Sequence, residues 1–90
     1  MNHKINAIGI IKETRNDESR APLAPLHIKQ LKKKYNNIKF IIQPSKIRSF
    51  KDKEYFRCGA EIKNNLSECD LILGVKEVDP NLLLNNKTYI

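Results

Sequence analysis

The chain has 90 residues, a formal net charge of +7 at pH 7, and apolar side chains at 40% of its positions. Its length allows one small domain with a modest core, and its composition is typical of a globular protein rather than a disordered or collagen-like chain. The apolar stretches are far shorter than the roughly 20 residues of a membrane-spanning helix, and the first residues lack the apolar core of a signal peptide. We therefore expect a soluble, cytoplasmic protein with no membrane partner.

The first half of the chain predicts a strand, a loop and a helix. A nearly continuous apolar run over residues 5–11 is typical of a strand that is covered on both faces. Residues 14–20 are polar or charged and predict a loop, and a segment punctuated by prolines leads from this loop into an amphipathic helix over residues 25–35. The cap position of this helix is Ala24, which has no side-chain acceptor for the first backbone N–H groups.

The second half continues the alternation of strands and helices. Residues 38–42 predict a second strand, after which Ser49 and Asp52 are candidate N-caps of a short helix that Gly59 closes. Further along, the pattern predicts a short edge strand over residues 60–62 and at least one helical turn over residues 64–69. A third buried strand is predicted over residues 71–75 and a final strand over residues 88–90.

This alternation predicts an α/β fold, a small three-layer domain whose parallel sheet is built from βαβ units in a Rossmann-like or flavodoxin-like manner. We expect one domain over residues 1–90, truncated at its C-terminal end, because the chain stops within a predicted strand.

Two Lys-Glu pairs follow predicted strands. Lys12 and Glu13 come directly after the first strand, and Lys76 and Glu77 come after the third. Because ligands bind at the carboxyl ends of the strands in open α/β sheets, these pairs predict a site for a small charged molecule, with Arg20 in the loop after the first pair.

Other classes of function have less support in the sequence. Cys58, Cys69, His3 and His27 are not spaced as metal ligands, so we predict no metal site and regard both cysteines as small packing residues. The positive charge is also typical of nucleic-acid binding, but lysine is spread along the whole chain and no aromatic residues interleave with the basic ones. We interpret the lysine run at 32–34 as a solvated helix face.

Five short segments together resemble the amino-terminal domain of lysine-ketoglutarate reductase, the lysine-forming type of saccharopine dehydrogenase. Its wider family includes alanine dehydrogenase and the soluble part of proton-translocating transhydrogenase. The segments occur in the family's order and spacing over nearly the whole chain: Arg20 to Pro25, Ile42 to Ser45, Asp52 to Tyr55 with Gly59 and Ala60, Leu71 to Val78, and Lys87 to Tyr89.

The resemblance implies an NAD(P)-dependent oxidoreductase with two domains, of which the first binds an amino acid or 2-oxo acid and the second, a Rossmann domain, binds the nicotinamide. The glycines of this chain, Gly9, Gly59 and Gly74, cannot form the G-x-G-x-x-G fingerprint of such a domain. We therefore expect no cofactor in this chain, NAD(P)H in the complete enzyme, and the missing Rossmann domain as a partner. The sequence is also compatible with a homo-oligomer.

The resemblance also implies roles for individual residues. Arg20 matches the family arginine that contacts the substrate carboxylate, which a guanidinium can hold through two parallel hydrogen bonds. Lys76 matches a lysine with an acid/base role in saccharopine dehydrogenases and a substrate-binding role in alanine dehydrogenases. Glu77 lies beside it, where a carboxylate could tune the lysine charge or meet the substrate ammonium. The alternatives are a solvated loop arginine and a lysine at the sheet edge that reaches solvent.

Lys12 and Glu13 match the Lys-Glu after the first strand of the family, where they would support the residues that contact substrate; ordinary ion pairs are the alternative. Ser45 and Arg48 lie in a matching loop, but their spacing implies no chemistry. The catalytic histidine of the family lies beyond residue 90, and neither His3 nor His27 has a comparable place, so we expect the 90 residues to be inactive alone.

Two hypotheses about function remain at this point. The chain is either the substrate domain of the reductase that joins lysine and 2-oxoglutarate into saccharopine, or a stand-alone basic module that binds an acidic metabolite or nucleic acid.

Overall fold

In the part of the chain that the structure describes, a five-stranded parallel sheet carries two helices on one face. The computed structural model describes residues 5–13, 21–74 and 88–89. Its elements, in chain order, are β1 (Ala7–Ile10), α1 (Pro25–Lys34), β2 (Lys39–Ile42), α2 (Asp52–Arg57), β3 (Glu61–Ile62), β4 (Leu71–Leu73) and β5 (Thr88–Tyr89). The predicted α/β class with a parallel sheet is confirmed.

The sheet has the strand order β3-β2-β1-β4-β5, with every neighbouring pair parallel. At its centre, Gly9 of β1 pairs with Ile41 of β2 and with Ile72 of β4. The chain runs outward from β1 through α1, β2 and α2 to β3, and then returns to place β4 on the other side of β1. The switch in strand order therefore lies between β1 and β4, and this is the place where open α/β sheets bind ligands.

The face of the sheet that carries the helices holds the larger core. Ile10, Phe40 and Ile42 point from β1 and β2 toward Ile28 of α1 and Tyr55 of α2, and all five side chains are fully buried or nearly so. These helices thus bury their apolar sides against alternate residues of the strands, as the period of two along a strand requires.

The opposite face is covered by irregular chain. Ala7, Ile41 and Ile72 pack there against Leu66 and Cys69, which belong to the connection between β3 and β4. Both faces of β1 and β2 are therefore apolar, and this explains why these strands read as continuous apolar runs in the sequence.

The prediction of at least one helical turn over residues 64–69 is wrong. This connection contains a hydrogen-bonded turn in which the Cys69 N–H donates to the Leu66 carbonyl over 3.0 Å, and the Ser67 N–H donates to Asn65 Oδ1 over 2.8 Å. The asparagine side chain offers the backbone a local alternative to helix formation. Leu66 and Cys69 are buried against the sheet from this turn.

The caps of α1 were predicted in part. Ala24 is the N-cap, as expected, and its backbone N–H donates to Nδ1 of His27 over 3.1 Å. His27 at the third helical position thus takes the place that a glutamate or glutamine has in a capping box. This role was not predicted from the sequence.

The predicted caps of α2, Ser49 and Asp52, are wrong. Lys51 is the N-cap, and its backbone N–H donates to Glu54 Oε2 over 2.6 Å. Asp52 is already the first helical residue, and its Oδ1 accepts the N–H of Ser45 over 3.1 Å instead.

The end of α2 contacts α1 through a lysine. Gly59 has a φ of +99°, the left-handed conformation expected of a residue that closes a helix. A Cβ at this position would lie 2.9 Å from Cε of Lys32, whose side chain is half-buried. Lys33 and Lys34 are exposed, so the solvated lysine face begins one residue later than predicted.

The remaining strand predictions agree with the structure to within a few residues. The final strand is β5, and the third predicted strand is β4, whose predicted last residue, Val75, lies outside the described residues. Cys58 and Cys69 are free thiols. In the part of the chain that the structure describes, neither helix has the length and apolar character to cross a membrane.

Candidate functional site

The carboxyl ends of β1 and β4 lie side by side at one edge of the sheet. The two strands stay paired to their ends, where the Ile11 N–H donates to the Leu73 carbonyl over 3.1 Å. Lys12 is the residue after Ile11, and Gly74 is the residue after Leu73. The segments that leave these two strands therefore start from adjacent points at the switch in strand order.

Gln43, the first residue after β2, holds the start of the segment that leaves β1. Its side-chain Oε1 accepts the Lys12 N–H over 2.9 Å, and its Nε2 donates to the Asn64 carbonyl over 2.8 Å. Its own N–H donates to the Ile10 carbonyl over 3.0 Å. One amide side chain thus joins the carboxyl ends of β1, β2 and β3.

An open pocket of about 610 Å³ lies over these three strand ends. It is lined by residues that follow β1, β2 and β3 and by the first residue of α2: Lys12, Glu13, Pro44, Ser45, Lys46, Ile47, Asp52 and Asn64. Lys12 and Lys46 are exposed, while Glu13 and Asp52 are half-buried. The pocket therefore presents both cationic and anionic groups, a combination that suits a ligand carrying both a carboxylate and an ammonium.

Arg48, a buried cation, directly follows the loop residues that line this pocket. Only 5% of the residue is exposed. Its Nη1 donates to the Gln43 carbonyl over 3.0 Å and lies 3.6 Å from Oδ1 of Asp52. The loop itself is closed by Ser45, whose Oγ accepts the N–H of Arg48 over 3.3 Å.

The guanidinium also packs on an aromatic ring. Its Cζ lies 5.5 Å from the centroid of the Tyr55 ring, within the range of a cation–π interaction. Burial lowers the pKa of Arg48 from its usual value, while Tyr55, Asp52 and Glu13 act in the opposite direction. The group stays charged, because the usual pKa of arginine is far above neutral pH.

Tyr55 connects this cluster to the segment that precedes α1. Its side chain is fully buried, and its hydroxyl donates to the Leu23 carbonyl over 2.7 Å. Burial raises the pKa of the Tyr55 hydroxyl, whereas the Arg48 charge lowers it. The hydroxyl is therefore a stable donor at neutral pH.

The structure brings together only part of the predicted site. Lys12 and Glu13 line the pocket with residues that follow β2 and β3. Arg20, Lys76 and Glu77 lie outside the described residues: Arg20 directly precedes Ala21 in the sequence, and Lys76 comes two residues after Gly74. Whether Lys12 and Glu13 support residues that contact substrate stays a prediction.

Sequence reasoning missed the contacts that the buried Arg48 makes with half-buried Gln43 and with buried Tyr55. One signal was present, because Arg48 and Asp52 have the i, i+4 spacing of an ion pair. It was weak, since Arg48 lies in a loop where most arginines are solvated.

The described residues show no cluster of metal-ligating side chains. They contain no group of three side chains of the types that ligate metals. Gly9 lies inside β1 and Gly59 at the end of α2, whereas Gly74 directly follows β4. The expectation that this chain holds no cofactor stays a prediction.

Known proteins similar to this chain agree on one family. Residues 9–90 match the family described as alanine dehydrogenase/PNT, N-terminal domain. The mitochondrial alpha-aminoadipic semialdehyde synthase of Rattus norvegicus is 47% identical over 72 residues, and that of Bos taurus is 45% identical over 74; each match covers 80% of this chain. The alpha-aminoadipic semialdehyde synthase of Arabidopsis thaliana is 37% identical over 87 residues, or 91% of the chain.

The chain spans only 8% of the length of each of these relatives. The match to the family, in contrast, covers nearly all of the chain, and it begins inside β1 and includes both Lys-Glu pairs. The chain belongs to the family of N-terminal domains of alanine dehydrogenase and PNT.

Proposed function

We propose that this chain is the substrate-binding part of an NAD(P)-dependent amino-acid oxidoreductase, and more specifically of a lysine-ketoglutarate reductase that forms saccharopine. The observation that carries the proposal is the adjacency of β1 and β4. Lys12 and Glu13 follow the first of these strands, and the sequence after the second continues into Lys76 and Glu77. The names of the relatives, alpha-aminoadipic semialdehyde synthases, support an enzyme that acts on lysine-derived compounds.

In this proposal, Arg20 holds a substrate carboxylate. Guanidinium groups bind carboxylates through two parallel hydrogen bonds, which fix the orientation of the acid as well as its position. The pocket beside Lys12 supports the idea, because its mixture of lysines and carboxylates matches substrates that carry both charges. 2-Oxoglutarate has two carboxylates, and saccharopine has three carboxylates together with amino groups.

The reaction would begin with attack of the lysine ε-amine on the ketone of 2-oxoglutarate. Loss of water then gives an imine, and addition of a hydride to carbon and a proton to nitrogen gives the secondary amine of saccharopine. We assign Lys76 to the proton transfers, since the step that expels water needs a proton donor and the attacking amine must lose a proton. Glu77 would meet the substrate ammonium or tune the charge of Lys76.

NAD(P)H would supply the hydride from the Rossmann domain that we expect as the partner of this chain. In the complete enzyme the substrate would lie between the two domains, where the amino acid and the nicotinamide meet. The cytoplasmic location expected from the sequence stays a prediction, because the rat relative is named as mitochondrial.

Isothermal titration calorimetry of the 90-residue chain with 2-oxoglutarate, lysine and saccharopine tests the proposal. We expect binding of 2-oxoglutarate and saccharopine that weakens about tenfold to a hundredfold in Arg20→Ala, the usual effect of losing a charge-assisted hydrogen-bond pair. Arg57→Ala is the matched control, since Arg57 is exposed at the end of α2. Equal affinities of Arg20→Ala and Arg57→Ala for these compounds would overturn the assignment of Arg20.

A further inference from the structure

Gln43, the residue that follows β2, holds neighbouring segments of the chain through its side chain and its backbone. Its N–H donates to the Ile10 carbonyl over 3.0 Å, and its carbonyl accepts Nη1 of Arg48 over the same distance. In the side chain, Oε1 accepts the Lys12 N–H over 2.9 Å, and Nε2 donates to the Asn64 carbonyl over 2.8 Å. The side-chain amide is therefore fixed in one orientation, because exchanging its oxygen and nitrogen would break both bonds.

Both partners of the Gln43 side chain belong to the wall of the pocket over the ends of β1, β2 and β3. Lys12 and Asn64 line this pocket, whereas Gln43 is not among its lining residues. Lys12 follows β1 and Asn64 follows β3, so a single half-buried amide ties together two segments from different strands. The position of Lys12 relative to the rest of the pocket wall therefore depends on Gln43.

The charges on the pocket wall favour an anionic group of a ligand. Lys12 and Lys46 are exposed there, and the carboxylates among the lining residues are Glu13 and Asp52. Oδ1 of Asp52 lies 3.6 Å from Nη1 of Arg48, which is buried and compensates this carboxylate. Two exposed lysines and one further carboxylate remain among the lining residues, and this excess of positive charge attracts a carboxylate.

We propose that Gln43 is a positioning residue that ties Lys12 to Asn64, so that Lys12 meets a substrate carboxylate in a pocket that is shaped before the ligand arrives. This inference rests on the proposed function, because it takes the pocket as the place where an acidic substrate binds. Gln43 does not touch the substrate in this scheme. It contributes to affinity because a backbone that is already fixed loses less conformational freedom on binding.

The first test is Gln43→Met, which keeps an unbranched side chain of similar length and removes both polar groups. Its matched control is Gln30→Met, since Gln30 is exposed on α1. We expect the Lys12 amide hydrogen to exchange about fivefold faster in Gln43→Met, as the loss of one hydrogen bond implies, and at the wild-type rate in Gln30→Met. A Lys12 exchange rate that is the same in both variants overturns the inference.

The second test measures 2-oxoglutarate binding by NMR titration, at a temperature where every variant is folded. We expect the affinity to fall about threefold in Gln43→Met and about threefold to fivefold in Lys12→Ala. In the Lys12→Ala background, Gln43→Met should change the affinity by less than about 1.5-fold, because Gln43 acts through Lys12. A purely structural role of Gln43 predicts a lower melting temperature with unchanged affinity, or the same loss of affinity in both backgrounds.

Failure of this inference can be told apart from failure of the proposed function. An equal effect of Gln43→Met in the wild-type and Lys12→Ala backgrounds overturns the inference, even if Arg20→Ala weakens binding. Amide signals of the pocket wall that do not respond to 2-oxoglutarate also overturn it, because Lys12, Gln43 and the wall they form belong to this chain. Equal affinities of Arg20→Ala and Arg57→Ala, together with a loss in Gln43→Met that depends on Lys12, support the inference and contradict the role of Arg20.

Discussion

Gly9 of β1 lies directly against the thiol of Cys69. A Cβ placed on Gly9 would be 2.8 Å from Sγ of Cys69 and 3.2 Å from Cδ2 of Leu66, closer than side-chain atoms normally approach. Like Ile8 and Ile10, Gly9 pairs with both neighbouring strands, so it cannot move away from the thiol without disturbing the centre of the sheet. The connection between β3 and β4 packs this closely because Gly9 has no side chain.

We predict that Gly9→Ala destabilises the domain by about 1–3 kcal/mol, the usual effect of overfilling a packed core. The better strand propensity of alanine offsets only a part of this loss. Urea unfolding followed by circular dichroism measures the change. In the double variant Gly9→Ala/Cys69→Ala the loss should be smaller than the sum of the two single losses, because the clashing sulfur is gone. Strict additivity would show that the contact is not the cause.

Asp70 holds the start of β1 through two backbone groups. Its Oδ2 accepts the N–H of Asn6 over 2.7 Å and that of Ala7 over 3.1 Å. We predict that Asp70→Ala lowers the free energy of unfolding by about 1–3 kcal/mol, since the buried Ala7 loses a hydrogen-bond partner. Asp70→Asn keeps an acceptor oxygen and should lose less. Thermal unfolding compares the two, and equal losses would contradict the hydrogen-bond explanation.

Glu68 and Lys63 form an exposed ion pair with an N–O distance of 2.6 Å. The hydrogen bond between them lowers the pKa of Glu68 and raises that of Lys63. The contribution of Glu68 to stability is therefore present above its unfolded pKa of about 4.3 and is lost as the pH falls through the lower folded value. The contribution of Lys63 to stability is present below its unfolded pKa of about 10.4, and it is lost as the pH rises through the higher pKa of the folded state.

Accordingly, Glu68→Gln should be slightly less stable than wild type near neutral pH and equally stable at acid pH, below the folded pKa of Glu68. The effect should shrink in high salt, because salt screens exposed charges. Urea unfolding across the pH range measures it. A difference that persists at acid pH would show that the glutamate acts through packing.

Lys12 offers a test of the pocket that is independent of Arg20. We predict that Lys12→Ala weakens 2-oxoglutarate binding about threefold to fivefold, the effect of removing one exposed cation near an anion, with little change in stability. Lys34→Ala, at an exposed position near the end of α1, is the control. Calorimetry in low salt measures both, and equal effects of the two variants would show only that net charge matters.

Much of the fold could be predicted from the sequence because its signals are local. The apolar runs around Ile8, Phe40 and Ile72 read as strands covered on both faces, and this property itself indicates a parallel sheet with chain packed on each side. Pro25 and Gly59 mark the start of α1 and the end of α2 through backbone conformations that only particular residues favour. The family resemblance likewise came from short, local segments of the sequence.

The turn after β3 and the caps of α2 were mispredicted because local patterns there are ambiguous. Leu66 and Cys69 have a spacing that suits a helix as well as a turn, and packing against Gly9 decides between them. Asp52 has the chemistry of an N-cap, but its oxygen is taken by the Ser45 N–H in the preceding loop.

The sequence by itself determined most of the helices and strands, the class of fold and the charged pairs that follow the strands, since these depend on residue type and spacing. Only the tertiary structure decided that β4 lies beside β1 and that Arg48 is buried against the ring of Tyr55. The physical reason is that strand order and burial depend on which surfaces exclude water together. Strand order and burial therefore depend on contacts between residues that are far apart in the chain, such as that between Tyr55 and Leu23. Neither residue by itself indicates in the sequence that this contact forms.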